Sequence, residues 1–259
     1  MTYGPRLKFS IPRWGGAQQG AALLIIMAVI LLGGISLALD ALLIKSKRMH
    51  GDQVSNLTLA RAKKALIAYA AMQAGIPPLA AKLYGKLPCP YEGFFRNSDP
   101  NDVAGDYSNN ATEGPCTINS GFLPWRTLGL PPLVDGEMAP IWYAVSPRFM
   151  TGDTVKGDFL CNQADLTIVG DTTAYAAIVF APGQTLPLIA PKSDQTRPSD
   201  IIAANLLQEF LEEGNADGDT TYEIRNIKTD RSGGLADPPF NDRLLGITCA
   251  EILNALTRL

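Results

Sequence analysis

The chain has 259 residues, a formal net charge of −3 and a sequence pI near 5.2, with 46% hydrophobic and 18% charged residues. This composition is typical of a folded protein, and the length allows one substantial domain with appendages. Because lysine and arginine are scattered along the chain, it lacks the concentrated positive charge of a nucleic-acid-binding protein, and we expect no nucleic-acid partner.

The first predicted element is a membrane-spanning helix. Residues 21–39 carry no charged side chain, and a helix of about 20 residues crosses the hydrocarbon core of a bilayer. Arg6, Lys8 and Arg13 precede this stretch without an acidic residue, so the positive-inside rule keeps the N-terminus in the cytoplasm. We place the span at residues 21–44. A secretory signal peptide is the alternative, but its apolar core is only about 7 to 15 residues long and ends at a small-residue cleavage site.

The boundary between the polar start and the apolar run reads "QQGAALLIIMAVILL". It resembles the prepilin junction of type IV pilins and type II secretion pseudopilins, in which a membrane peptidase cuts after a glycine at the cytoplasmic face. The resemblance implies that Gly20 ends a leader of residues 1–20 and that Ala21 begins the mature chain. Most members of the family have a glutamate five residues after the cut, where this chain has Ile25. The subset without this glutamate contains the minor pilins and pseudopilins placed at the fibre tip.

The next predicted element continues the same helix. In "NLTLARAKKALIAYAAMQAG", apolar residues recur at helical spacing on one face: Leu59, Ala62, Leu66, Tyr69 and Ala70. This pattern predicts that an amphipathic helix occupies residues 45–75, on the periplasmic side of the membrane. It ends before Pro77 and Pro78, which a helix interior cannot accommodate. Residues 76–259 then form a periplasmic globular head.

The head is predicted to be α+β, with an antiparallel sheet packed against the long N-terminal helix. Short runs rich in apolar and β-branched residues predict strands at residues 141–145, 166–170, 174–180, 222–227 and 243–248. A helix at residues 201–213, capped by Ser199 and stopped by Gly214, interrupts the strands. Thr248 and Glu251 form a capping box at the start of a last helix.

Four cysteines follow the apolar run: Cys89, Cys116, Cys161 and Cys249. None forms a C-x-x-C pair, which argues against zinc, and an even number outside the cytosol indicates two disulfides. Four cysteines allow three pairings. We expect Cys89 to pair with Cys116, fastening an irregular stretch rich in Gly and Pro, and Cys161 to pair with Cys249, tying the middle of the sheet to the last helix.

Stretches of the head also resemble a group of proteobacterial pilin-like proteins described as type II secretion or prepilin-type proteins. They are, in chain order, "LPCP", "GFLPWRTLGLPP", "YAV", "IVFAPG", "FLEEGNADGD" and "FNDRLLGIT". The resemblance implies a structural subunit, a minor pilin or pseudopilin-like protein of a type IV pilus or type II secretion-like fibre. Its implied partners are other pilin or pseudopilin subunits, the prepilin peptidase and the inner membrane. The alternative is a single-pass, membrane-anchored periplasmic binding module or unrecognised hydrolase that never polymerises.

The sequence contains no convincing catalytic constellation. Its only histidine, His50, lies just past the predicted span, and no serine or cysteine can be assigned to it. The head therefore lacks a base for Ser-His-Asp or Cys-His chemistry, and we expect no enzymatic activity.

One stretch, "GNADGDTTYE", has alternating oxygen-bearing side chains that could bind calcium: Asn215, Asp217, Asp219, Thr221 and Glu223. It departs from an EF-hand loop, because residue 220 is Thr where glycine is needed and residue 226 is Asn where glutamate is needed. We favour a polar turn between a helix and a strand, and no cofactor. Calcium is the alternative, with Asn215, Asp217, Asp219 and Glu223 as its ligands.

Overall fold

The computed structural model describes residues 19–73, 85–91, 116, 118–150, 161, 164–187, 194–196, 207–227 and 239–258. Within these ranges, the side chains of residues 19–22, 36–45, 47, 48 and 213 are outside the described set. The chain divides into two compact units, Met1–Met49 and His50–Leu259.

Helix α1, Gln19–Gln73, is the longest of the described elements and includes both the apolar run and the amphipathic stretch. Its apolar side chains at residues 23–32 are exposed. Across the part of the chain that the structure describes, no helix combines the length and the apolarity of a membrane span. Part of the predicted span at residues 21–44 has side chains outside the described set. These are the side chains of residues 21, 22 and 36–44.

The unit that begins at His50 is built on a four-stranded antiparallel sheet, which confirms the predicted α+β class. Six strands lie in the described part of this unit, four of them in the main sheet: β1 (Ser120–Phe122), β2 (Trp142–Val145), β3 (Thr167–Ile168), β4 (Tyr175–Ala181), β5 (Thr221–Tyr222) and β6 (Arg243–Thr248). The main sheet has the order β1-β2-β4-β6, while β3 and β5 form a separate parallel pair. Helix α2 (Leu207–Phe210) precedes β5, and helix α3 (Cys249–Leu256) follows β6.

Both faces of the main sheet are covered, because alternate residues of each strand point to opposite sides. Tyr143, Val179 and Ile247 belong to a core cluster that includes the buried face of α1 and the apolar residues of α3. Trp142 and Phe180 belong to a second cluster, formed with β3, β5 and α2. Two covered faces explain why β2 and β4 are continuous apolar runs rather than alternating ones.

The buried face of α1 agrees with the predicted helical spacing. Leu59, Ala62, Leu66 and Ala70 are buried, whereas Tyr69 is half-buried. Polar contacts fix this part of the helix along its length. Ser55 Oγ accepts a hydrogen bond from the Gly136 amide (3.0 Å), and Asp52 forms a salt bridge with Arg243 (2.6 Å). Lys63 Nζ forms a salt bridge with Glu251 (2.6 Å) and donates a hydrogen bond to the Gly246 carbonyl (2.7 Å).

The structure contains both expected disulfides. Cys89 is bonded to Cys116 and Cys161 to Cys249, with Cα atoms 5.5 Å and 5.2 Å apart. The predicted capping box is also present: Thr248 Oγ1 accepts from the Glu251 amide, and the Glu251 carboxylate accepts from the Thr248 amide. Helix α3 is therefore fixed at its first turn by a covalent bond and by a reciprocal cap.

The strand expected at residues 166–170 is shorter, Thr167–Ile168. Two further predicted elements are wrong in extent. The helix expected at residues 201–213 ends at Phe210. It ends there because the Glu212 amide donates a hydrogen bond to Asp242 Oδ2 instead of to a backbone carbonyl one turn back. Ser199 and residues 201–206 lie outside the described residues. The strand expected at residues 222–227 includes only Tyr222, because the Glu223 amide donates to Asn215 Oδ1 and leaves the ladder. In both places a side-chain oxygen accepts the hydrogen bond of a backbone N–H group that the helix or the strand would otherwise use.

Candidate functional site

The residues of the prepilin-like junction lie in the first two turns of α1. Gly20 and Ala21 follow the first helical residue, Gln19, and their side chains are outside the described set. Ile25, where the prepilin resemblance would lead one to expect glutamate, is 65% exposed. This position therefore has an exposed apolar side chain.

The acidic turn after α2 is closed by its own side chains. Asn215 is buried, its Oδ1 accepts from the Glu223 amide (2.7 Å), and its Nδ2 donates to the Glu223 carbonyl (3.2 Å). Asp217 Oδ1 accepts from the Asp219 amide (3.0 Å), and Asp219 Oδ1 accepts from the Thr221 amide (2.6 Å). These are Asx turns, in which an acidic side chain satisfies a backbone donor two residues later.

Glu223, the last predicted calcium ligand, pairs through its carboxylate with Arg225. In this structure Asn215 makes hydrogen bonds to both backbone groups of Glu223. Among the described residues, no group of three or more histidine, cysteine, aspartate or glutamate side chains is arranged to hold a metal. Calcium at this turn stays a prediction from the sequence.

A buried carboxyl pair, Glu212 and Asp242, lies behind this turn; the two residues are 2% and 3% exposed. Glu212 Oε2 accepts from the amides of Asn241 (3.0 Å) and Asp242 (3.1 Å), and Glu212 Oε1 accepts from Gln195 Nε2 (2.8 Å). Three donors therefore converge on the Glu212 carboxylate and stabilise its charged form.

Asp242 has a different environment. Its Oδ2 accepts from the Glu212 amide (2.9 Å) and from Asn215 Nδ2 (3.0 Å), while none of the described residues donates to its buried Oδ1. Burial, and next the charge of Glu212, raise the pKa of Asp242 well above its usual range. The pair therefore has one carboxyl group surrounded by donors and one that favours its protonated form.

The carboxyl pair is continuous with a second set of buried polar contacts. Asn241 Nδ2 donates to the Gln184 carbonyl (2.8 Å), and the neighbouring Gly183 amide donates to Asp135 Oδ2 (2.7 Å). Gly183 has φ +70°, and a Cβ there would lie 2.9 Å from the Asn241 side chain, so glycine is required by both conformation and space. These contacts tie the loop after β4 to the start of β6.

None of the protein-family models, curated proteins or solved structures compared with this chain matches it.

Sequence reasoning did not identify Glu212 and Asp242 as a pair. The stretches that contain them, "FLEEGNADGD" and "FNDRLLGIT", are far apart in the sequence, and the structure brings them into contact. The available signal was an acid directly after the apolar Phe210 and Leu211, at a position that turns out to be buried. A single sequence does not indicate which distant residue such an acid meets.

Proposed function

We propose that the protein is a minor pilin or pseudopilin-like structural subunit, located at the tip of a type IV pilus or type II secretion-like fibre. The observation that carries the proposal is the continuity of α1. A charge-free run directly follows the junction glycine, Gly20, and the same helix extends to Gln73, where its buried face forms part of the core of an antiparallel sheet. The prepilin resemblance implies such a helix, in which an apolar N-terminal part is followed by a part that packs against the sheet.

The proposed topology has the N-terminus in the cytoplasm, residues 21–44 in the inner membrane and the head in the periplasm. The charge distribution of the first residues supports this orientation. Both disulfides lie in the part assigned to the periplasm, and disulfides persist in oxidising compartments such as this one. The proposed partners are the prepilin peptidase, which would remove residues 1–20, and other pilin or pseudopilin subunits.

The tip location is argued from Ile25. A glutamate buried in a membrane costs roughly 2 to 3 kcal/mol unless it is paired. The family resemblance implies that its partner is the freed amino terminus of the neighbouring subunit. A subunit with isoleucine offers no carboxylate to the subunit ahead of it, but its own Ala21 amine remains available. Such a subunit fits the first position of a fibre, where nothing lies ahead.

Asp40 does not replace the missing carboxylate in this proposal. It follows Ile25 by about 15 residues, which corresponds to roughly 22 Å along an α-helix. This distance places it near the opposite interface of the membrane from the junction. A neighbouring amino terminus at the depth of Ile25 is therefore out of its reach.

Labelling of intact fibres tests the location. We expect few copies of the protein per fibre, concentrated at one end, because each fibre has one position that needs no forward carboxylate. An Ile25→Glu variant should enter the shaft in larger numbers, and Ile25→Gln, which has the same shape without the charge, should not. Immunogold counts normalised to the major subunit measure this. Wild-type protein along the whole shaft at the abundance of the major subunit would contradict the tip assignment.

A further inference from the structure

The turn at residues 135–139 holds an apolar residue in a backbone conformation that favours glycine. The Asp135 amide donates to the Ala139 carbonyl (2.8 Å), and the Met138 amide donates to the Asp135 carbonyl (3.2 Å), so the turn is a hairpin with a three-residue loop. The last residue of such a loop is left-handed and is usually glycine. Here it is Met138, with φ +65°, and among the described residues no other non-glycine residue has a positive φ. A bulky side chain therefore occupies a disfavoured conformation at this position.

Hydrogen bonds to a buried carboxylate impose this conformation. Oδ1 of the buried Asp135 accepts from the amides of Glu137 and Ala139, each at 2.8 Å. Its Oδ2 accepts from the Gly183 amide, in the loop after β4, at 2.7 Å. The backbone is therefore fixed on both sides of Met138, and the turn is tied to the rest of the head.

The turn also packs on α1 close to the first residue of the second unit, His50. The Gly136 amide donates to Ser55 Oγ (3.0 Å), and a Cβ on Gly136 would lie only 2.1 Å from the Gly51 carbonyl oxygen. Glycine at residue 136 therefore allows the two backbones to touch. Met138 itself is 76% exposed, the highest value among the large apolar residues that the structure describes. The turn presents this side chain to the surroundings from a fixed place beside Gly51.

We propose that Met138 is a lipid contact, whose side chain enters the headgroup region of the membrane in which the chain is anchored. The inference rests on the proposed membrane span at residues 21–44. Gly51 is the seventh residue after this span, and seven helical residues rise about 10 Å. The headgroup layer extends about 5 to 8 Å beyond the hydrocarbon core. The remaining few ångströms are within the length of a methionine side chain docked beside Gly51.

The residues between the span and Gly51 favour a lipid surface as the partner. Lys45, Lys47 and Arg48 lie in this stretch, and basic residues next to a span attract anionic lipid headgroups. An exposed thioether side chain that enters this layer removes apolar surface from water, which offsets the conformational cost of the left-handed backbone at Met138. A second copy of the chain that covers Met138 is the other occupant, and the experiment distinguishes it from lipid.

Spin labels on the full-length protein, in anionic phospholipid nanodiscs large enough for several copies, test the proposal. All four native cysteines are in disulfides, so an introduced cysteine is the free thiol that takes the label. The label of Met138→Cys should collide with lipid-soluble oxygen, relative to a water-soluble nickel chelate, several-fold more often than that of Met72→Cys. Met72 is the matched control, because it is 70% exposed and lies near the other end of this part of α1. Ile30→Cys, in the charge-free run, reports whether the span is in lipid.

The Ile30 label separates failure of this inference from failure of the proposed function. A Met138 label in water with an Ile30 label in lipid overturns the lipid contact alone, whereas an Ile30 label in water overturns the proposed span and the contact with it. Dipolar broadening between Met138 labels that disappears on dilution with unlabelled protein identifies a second copy as the occupant and overturns lipid.

The native side chain provides a second measurement if the label disturbs the turn. In spectra of the wild-type protein with isotope-labelled methionine methyl groups, nitroxide-bearing lipids should broaden the Met138 signal and leave the Met72 signal sharp. Met138→Leu and Met72→Leu assign the two signals. Equal broadening of both signals, or of neither, overturns the proposal.

Discussion

Replacement of both Cys161 and Cys249 by serine should lower the free energy of unfolding by about 4 to 5 kcal/mol. The bridge joins residues 88 apart in the chain, so removing it gives the unfolded chain a large amount of conformational freedom. Cys249 is buried at the first residue of α3, and serine would also place a hydroxyl group in that apolar environment. Urea unfolding of the full-length protein in detergent, under non-reducing conditions, measures the loss.

The second disulfide provides an internal comparison. Cys89 and Cys116 are 27 residues apart, for which the same chain-entropy relation gives about 3.5 kcal/mol. The Cys89→Ser, Cys116→Ser variant should therefore be destabilised by about 1 kcal/mol less than the first variant. A loss below about 2 kcal/mol for the Cys161 and Cys249 variant, or four free thiols in peptides mapped without reduction, would contradict the expected result.

Leu66→Ala should lower the free energy of unfolding by about 2 to 5 kcal/mol. Leu66 is 0% exposed and belongs to the core cluster that joins α1 to the sheet, so truncation removes buried apolar surface and leaves a cavity. Leu57→Ala is the matched control, because Leu57 is on the same helix and is 72% exposed. It should change the free energy of unfolding by less than about 0.5 kcal/mol.

The two leucine variants are compared by urea unfolding in the same detergent. The dependence of the unfolding free energy on urea concentration should be the same for both variants if each unfolds in two states. Equal losses would mean that the buried and exposed faces of α1 are assigned incorrectly. A larger loss for Leu57→Ala would mean that the exposed face is covered in the detergent-solubilised protein. Either result would contradict the core described for the head.

Elements with strong local signals could be predicted from the sequence. The face of α1 around Leu66, the strands β2 and β4 and the capping box of Thr248 and Glu251 depend on residues close together in the chain. Helical spacing, β-branched runs and cap residues report such elements directly. The disulfide pairing also agrees with the expectation, although the sequence itself left three pairings open.

Elements ended by distant side chains could not be predicted in the same way. Helix α2 ends early because the Glu212 amide, which would continue the helix, donates a hydrogen bond to Asp242. The two residues are 30 positions apart in the chain. Strand β5 ends early because Asn215 accepts the Glu223 amide. Sequence patterns indicated a helix and a strand at these places, but tertiary contacts overrode them. The carboxyl pair was missed for the same physical reason, since it exists only after both stretches have folded.

The N-terminus of the mature protein tests the central claim most directly. Mass spectrometry of the protein isolated from membranes of cells with an active prepilin peptidase should find Ala21 as the first residue. Gly20→Val should block the cut and leave the leader of residues 1–20 in place, while a Gly16→Val variant in the same leader should still be processed. An intact Met1 in the wild-type protein from such cells would contradict the pilin-like assignment and favour a membrane-anchored protein that does not enter a fibre.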